Sequence, residues 1–169
     1  MTARERGGRS VSPQRQRAKP SRSLLSRAIA LLARRDHSRA ELSRKLSRYV
    51  AEGDDTAELV RVLDELDRSE LMSDERFAAG VARRRSQRFG DARIRHDLRR
   101  VGVADETSAA AVASLAGTEV ARAHEVWAKR FTATPASAAE RGKQARFLQS
   151  RGFSLDAILQ VLRGRSGSP

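Results

Sequence analysis

The chain contains no cysteine, so a disulfide framework, a thiolate zinc site and a thiol nucleophile are all excluded. No apolar run approaches the roughly 18 residues needed to cross a bilayer. The N-terminus lacks the hydrophobic stretch of a secretory signal, although its Arg- and Ser-rich, acid-poor composition overlaps with that of an organellar transit peptide. The expectation is a soluble, cytoplasmic protein with no membrane partner. There is no glycine-rich phosphate loop, which argues against nucleotide hydrolysis. Neither an HExxH pattern nor a related metal spacing occurs, and His37, His96 and His124 lie too far apart in sequence to form a ligand cluster. Gly53-Asp54-Asp55 is too short for an oxygen-rich calcium loop. Serines fall mostly at expected helix starts, where capping explains them. These absences predict a non-enzymatic protein. Aromatics are scarce, with five Phe, one Trp and one Tyr. Of these, Phe77, Trp127, Phe147 and Phe153 fall on faces expected to be buried. Single-strand platforms stack bases on exposed aromatics, so any contact with nucleic acid is expected to be with phosphates, which position a protein but read little sequence.

What the chain has in abundance is positive charge: 34 basic against 21 acidic side chains, a net +13. An excess of this size favours a polyanionic partner. Its distribution is uneven. Residues 1–22 carry Arg4, Arg6, Arg9, Arg15, Arg17, Lys19 and Arg22 against Glu5, a local +6, and have almost nothing to pack. They are expected to form a disordered basic tail, either a nucleic-acid-binding arm or a passive extension. Residues 38–50 sum to +3, whereas residues 51–70 hold eight acids against two arginines, a local −6.

The stretch from Ser38 to Val50 recurs in diverged form at Asp91 to Val103 and at Lys143 to Phe153. A period of about 50 residues is the sign of a modular array. With Leu46, Leu98 and Leu148 superimposed, the position two before holds Arg44, His96 and Arg146, and the position two after holds Arg48, Arg100 and Ser150. At about 100° per residue both offsets point nearly opposite the leucine. Each copy is therefore expected to bury its leucine and to hold a mostly basic pair out to solvent. Amphipathic helices flank each copy, the openers over 24–35, 74–89 and 119–131, the closers over 56–68, 105–116 and 155–163. In the first opener Leu25, Ala28, Ile29 and Leu32 form the predicted core stripe. Ser38 with Glu41 is a capping box at the start of the first middle helix. The predicted fold is all-α: three tandem three-helix repeats over 23–72, 73–117 and 118–164, forming an elongated, curved array with a frayed end over 165–169. A lone unit of about 45 residues buries too little surface to be stable by itself, so neighbouring units are expected to share their cores. Four arginines, Arg83, Arg84, Arg85 and Arg88, crowd the end of the second opener, where complementation of the helix dipole accounts for at least two of them.

Three segments in register resemble the RecX family of recombinase modulators. They are Leu31 to Leu42, then Asp74-Glu75-Arg76-Phe77-Ala78 with Arg93-Ile94 and Leu98, and finally Arg146-Phe147-Leu148 with Arg151-Gly152-Phe153-Ser154. The likeness spans residues 24 to 164. It implies an array of three-helix repeats, without catalytic activity or cofactor, that binds the filament of the RecA recombinase on DNA. It further implies inhibition of RecA strand exchange and ATP hydrolysis, and hence a role in homologous recombination, DNA repair and the SOS response. The second unit departs from the family pattern at Gly80, at Asp91-Ala92 in place of a frequent Gly-Pro, and at Asp97 and Val101, changes that bear on its packing and surface charge. Candidate residues for contact with RecA, or with single- and double-stranded DNA through phosphates, are Arg44, Arg48, Arg95, His96, Arg99, Arg100, Arg146 and Arg151, acting in a monomer. The alternative reading is a stand-alone DNA-binding or nucleoid-type helical protein.

Overall fold

A computed structural model describes residues 23–50, 56–115 and 118–164. The expected basic tail, the Gly53-Asp54-Asp55 break and residues 165–169 lie outside the described residues. Nine α-helices and no strand occur among the described residues: α1 (Leu24–Leu32), α2 (Arg39–Leu46), α3 (Thr56–Arg68), α4 (Asp74–Ser86), α5 (Asp91–Arg100), α6 (Asp105–Ala113), α7 (Glu119–Ala128), α8 (Ala138–Gln149) and α9 (Leu155–Leu162). The chain is an all-α repeat. Serine hydroxyls start five of these helices: Ser23, Ser38, Ser73, Ser137 and Ser154 each accept the backbone N–H three residues on. Such a cap contributes about 1 kcal/mol.

Two expectations about helices are corrected. The core stripe of α1 is Leu24 and Ala28, with Leu31 and Leu32 packed behind them, whereas Leu25 and Ile29 are exposed. This helix is apolar nearly all round, so periodicity alone does not select its buried face. The third middle helix starts at Ala138, five residues before the expected Lys143. Its start is marked by Ser137 with Glu140, a second capping box: the hydroxyl accepts from Glu140 N–H, and the Glu140 carboxylate accepts from Ala136 N–H at 2.8 Å. The first middle helix tightens into a 3-10 turn over Ser47–Tyr49, where Ser47 Oγ donates to the Arg44 carbonyl at 3.0 Å.

The units do not share a core. Among the described residues, buried side chains fall into three clusters, centred on Leu42, Leu46, Leu63 and Leu66, on Phe77, Ile94, Leu98 and Val112, and on Trp127, Leu148, Ile158 and Val161. The second is thin, as expected for an alanine-rich α6, and it buries the Ser108 hydroxyl with no hydrogen-bond partner among the described residues. Polar and backbone contacts join the units instead. At the first junction Ser38 Oγ donates to the Val101 carbonyl at 2.5 Å and Arg39 N–H donates to Asp74 Oδ1 at 2.7 Å. Gly102, at φ +83°, comes so close to Ala40 that a Cβ on it would sit 2.3 Å from that side chain. At the second junction Gly90 N–H and Ala92 N–H donate to the carbonyls of Arg151 and Gly152 at 3.0 and 3.2 Å. The departure at residue 92 therefore supplies an amide that proline would lack. Asp91, the other departure there, accepts from the buried Arg122 at 2.6 Å, and Arg122 also donates to the Phe89 carbonyl at 3.1 Å.

Both junctions thus follow one rule: the C-terminal end of a middle helix docks on the N-terminal end of the middle helix before it. Helices α8, α5 and α2 stack end to end, with favourable alignment of their dipoles.

Candidate partner-binding face

The three superimposed leucines, Leu46, Leu98 and Leu148, are each 0% exposed. Burying them turns the flanking basic positions outward. Arg44, Arg48, Arg95, His96, Arg99, Arg100 and Arg146 are exposed, and Arg151 is half-buried. Arg44 folds back one turn so that its Nε donates to the Ala40 carbonyl at 3.4 Å. That places it at the N-terminal end of α2, where α5 docks, and it lines one cleft with Arg100.

This cleft, about 490 Å³, spans the first junction and is lined also by Phe77, Val81, Arg84, Arg85, Asp97 and Val101. Four guanidinium groups face a single carboxylate. Asp97 accepts from Arg85 and lies 3.4 Å from Arg93, so the unusual acid at this position ties down two cations. A second cleft, about 510 Å³, occupies the equivalent place at the second junction, lined by Gln87, Arg88, Val126, Lys129, Arg130, Phe147 and Arg151. Arg146 lines neither cleft. It lies back over Gly142 on its own helix, away from the junction. Arg48 sits on the 3-10 turn, Arg99 is 3.7 Å from Asp105, and Arg48, Arg95, His96 and Arg146 have no salt-bridge partner among the described residues. The candidate residues therefore divide into Arg44 and Arg100 in one cleft, Arg151 in the other, and the rest on open surface.

Sequence reasoning missed Arg84, Arg85, Arg88, Lys129 and Arg130 as members of these clefts, because each lies at a helix C-terminus where dipole complementation is a sufficient explanation. It placed Phe147 in the core, and the ring does pack against the third cluster, but it is only half-buried, with Arg151 stacked on it and the guanidinium 3.8 Å from the ring centroid. The other three aromatics of that set, Phe77, Trp127 and Phe153, are buried as expected. Among the described residues no group of His, Asp and Glu is arranged to hold a metal ion, and no helix is long and apolar enough to cross a membrane.

Comparison with known proteins agrees with this architecture. The family model for the second three-helix domain of RecX matches residues 73–112, and that for the third matches residues 118–162. The chain is 46% identical over 145 residues to the regulatory protein RecX of Leptothrix cholodnii, covering 86% of this chain and 90% of that one. It is 43% identical over 148 residues to the RecX of Herminiimonas arsenicoxydans, covering 88% and 96%. The crystal structure of RecX from Lactobacillus salivarius superimposes with a TM-score of 0.74 at 18% identity, over 84% of this chain and 94% of that one, a likeness of fold. The chain belongs to the RecX family of regulatory proteins.

Proposed function

We propose that the chain is a non-catalytic regulator of the RecA recombinase, working as a cytoplasmic monomer. It lies along the RecA filament on DNA, inhibits strand exchange and ATP hydrolysis, and so modulates recombination and DNA repair. The observation that carries this reading is the end-to-end stacking of the middle helices, which sets cations of successive units at equivalent junctions. A helical polymer presents its sites at regular intervals. One molecule with two cationic clefts at successive junctions engages two of them, and the second contact forms at high effective concentration. The names of the related proteins, each a regulatory protein, support the same reading.

Reversing charge at Arg44 and Arg100 in the first cleft and at Arg88 and Lys129 in the second is expected to abolish inhibition of RecA strand exchange while the circular-dichroism helix signal is unchanged. Persistence of full inhibition in that variant would place the RecA-facing surface elsewhere. A strong preference for one DNA operator at physiological salt would instead favour a stand-alone DNA reader, whose side chains must reach base edges in the major groove.

A further inference from the structure

The two junction clefts are equivalent in position but not in chemistry. In the register set by Leu98 and Leu148, the residue before the leucine is Asp97 in the second unit and Phe147 in the third. Asp97 neutralises part of the first cleft, and the aromatic residue there, Phe77, is only 4% exposed. The second cleft has four cations, Arg88, Lys129, Arg130 and Arg151, and none of them pairs with a carboxylate among the described residues. Three helices, α4, α7 and α8, end beside it. Each contributes about half a negative charge from its dipole, which four full cations exceed. Dipole complementation explains why a cation sits at each helix end. It does not explain why they converge on an aromatic ring.

That ring is held as a platform. Phe131 meets Phe147 edge-on at 5.2 Å between centroids, the Arg151 guanidinium stacks on it at 3.8 Å, and Arg130 lies 5.5 Å from its centroid. One Arg151 nitrogen, Nη1, donates to the Phe147 carbonyl at 3.3 Å, which holds the flat group in place. A stacked guanidinium plane accepts a nucleobase on its outer face as an aromatic ring does. The volume, about 510 Å³, lies within the roughly 300–1,000 Å³ of small-molecule sites.

We propose that the cleft between the second and third units is a site for one nucleotide of a single strand. Arg88, Lys129 and Arg130 take the phosphates, and the unpaired base stacks on the Arg151–Phe147 pair. A duplex hides the faces of its bases, so the base-stacking part of this site is closed to it. The first cleft, without an exposed aromatic, takes phosphates alone. This inference shares with the proposed function only the premise that the chain contacts nucleic acid.

The test uses the full chain without RecA. Fluorescence anisotropy is measured with a labelled oligothymidylate about twelve nucleotides long, within the ~4–16 nucleotides typical of such sites, and with an abasic strand of equal length. Replacing Arg88, Lys129 and Arg130 together by serine is expected to weaken both strands by about tenfold or more. Phe147→Leu is expected to weaken the thymidylate strand by about five- to tenfold, the worth of one stacked base, and to leave the abasic strand unchanged. Arg151→Lys keeps the charge but loses the flat face. It leaves the Phe131–Phe147 packing intact, and it should give the same base-dependent loss if Phe147→Leu misfolds. Equal losses on the two strands from Phe147→Leu and Arg151→Lys would overturn the proposal, as would full binding by the triple-serine variant. A chain that passes this test but fails to inhibit RecA would sink the earlier reading and leave this one standing.

Discussion

His37 is 3% exposed, and both ring nitrogens have partners. Nδ1 lies 2.9 Å from the Arg35 carbonyl, to which it can only donate, and Nε2 accepts from Lys45 Nζ at 2.8 Å. The bond from Lys45 requires the neutral ring, because a protonated Nε2 has no lone pair to accept with, whereas Nδ1 donates to the carbonyl in either form. Burial pushes the His37 pKa below its ordinary 6.5, and the charges of Arg35 and Lys45 add to the effect, against the opposing pull of the Arg35 carbonyl and Glu41. The neighbouring Glu41 is also depressed. Its own burial works against ionisation, but bonds from Arg35 and Lys45 outweigh it. For a base with a lowered folded-state pKa, stability is full above the unfolded value. It falls as pH drops below about 6.5, because only the unfolded chain then takes up the proton. The urea midpoint is therefore expected to decline as pH falls from 7 toward the folded-state pKa of His37. His37→Gln should flatten that decline and leave only the carboxylate-driven loss at lower pH; an equally steep decline in the variant would show that His37 is not its source. None of this was legible in the sequence, where His37 was weighed only as a metal ligand. A histidine beside a lysine eight residues away gives no spacing signal, and its burial follows from the capped turn at Ser38.

Between elements, the decisive contacts are made by backbone. Gly90 has φ −78°, which any residue adopts, yet a Cβ there would lie 2.3 Å from the Gly152 carbonyl oxygen. Gly90→Ala therefore adds no local strain and probes the second junction alone. It is expected to cost about 1–3 kcal/mol. It should also speed hydrogen exchange of the Gly90 and Ala92 amides while the amides within α8 stay protected; unchanged protection at Gly90 would mean that the docking seen here does not hold the units together. The helices themselves were largely readable. The closing helix over 56–68 has the predicted ends, and the central leucines lie where the repeat placed them, because hydrophobic period reports burial directly. The end-to-end docking was not readable. It depends on carbonyls, amides and the left-handed glycines Gly102 and Gly152, which leave no trace in an apolar pattern, and this is also why separate cores were mistaken for shared ones. The clefts were hidden for a related reason, since their cations come from helix ends some 40 residues apart that already have an ordinary explanation.

Across the whole molecule, charge is sorted by position on the stack. The closing helix of the first unit exposes Glu58, Glu65 and Asp67, whereas the junction clefts collect arginine and lysine. A polyanion is repelled by the former and drawn to the latter, so the net +13 understates how strongly it is oriented. The middle helix between the clefts, α5, has 10 residues and is about 15 Å long, a distance that a few nucleotides of a single strand cover. Each phosphate neutralised on a single strand contributes about −0.7 to the slope of log K against log salt. With the two phosphates that flank one nucleotide in each cleft, binding of an oligothymidylate to both calls for a slope of about −3, and the triple-serine variant of the second cleft should flatten it by about 1.4. Replacing Glu58, Glu65 and Asp67 by their amides gives the contrasting result. Affinity should rise chiefly at low salt through relief of long-range repulsion, which steepens the slope slightly where the cleft variant flattens it. A slope that the cleft variant leaves unchanged would mean that the phosphates bind elsewhere on the stack.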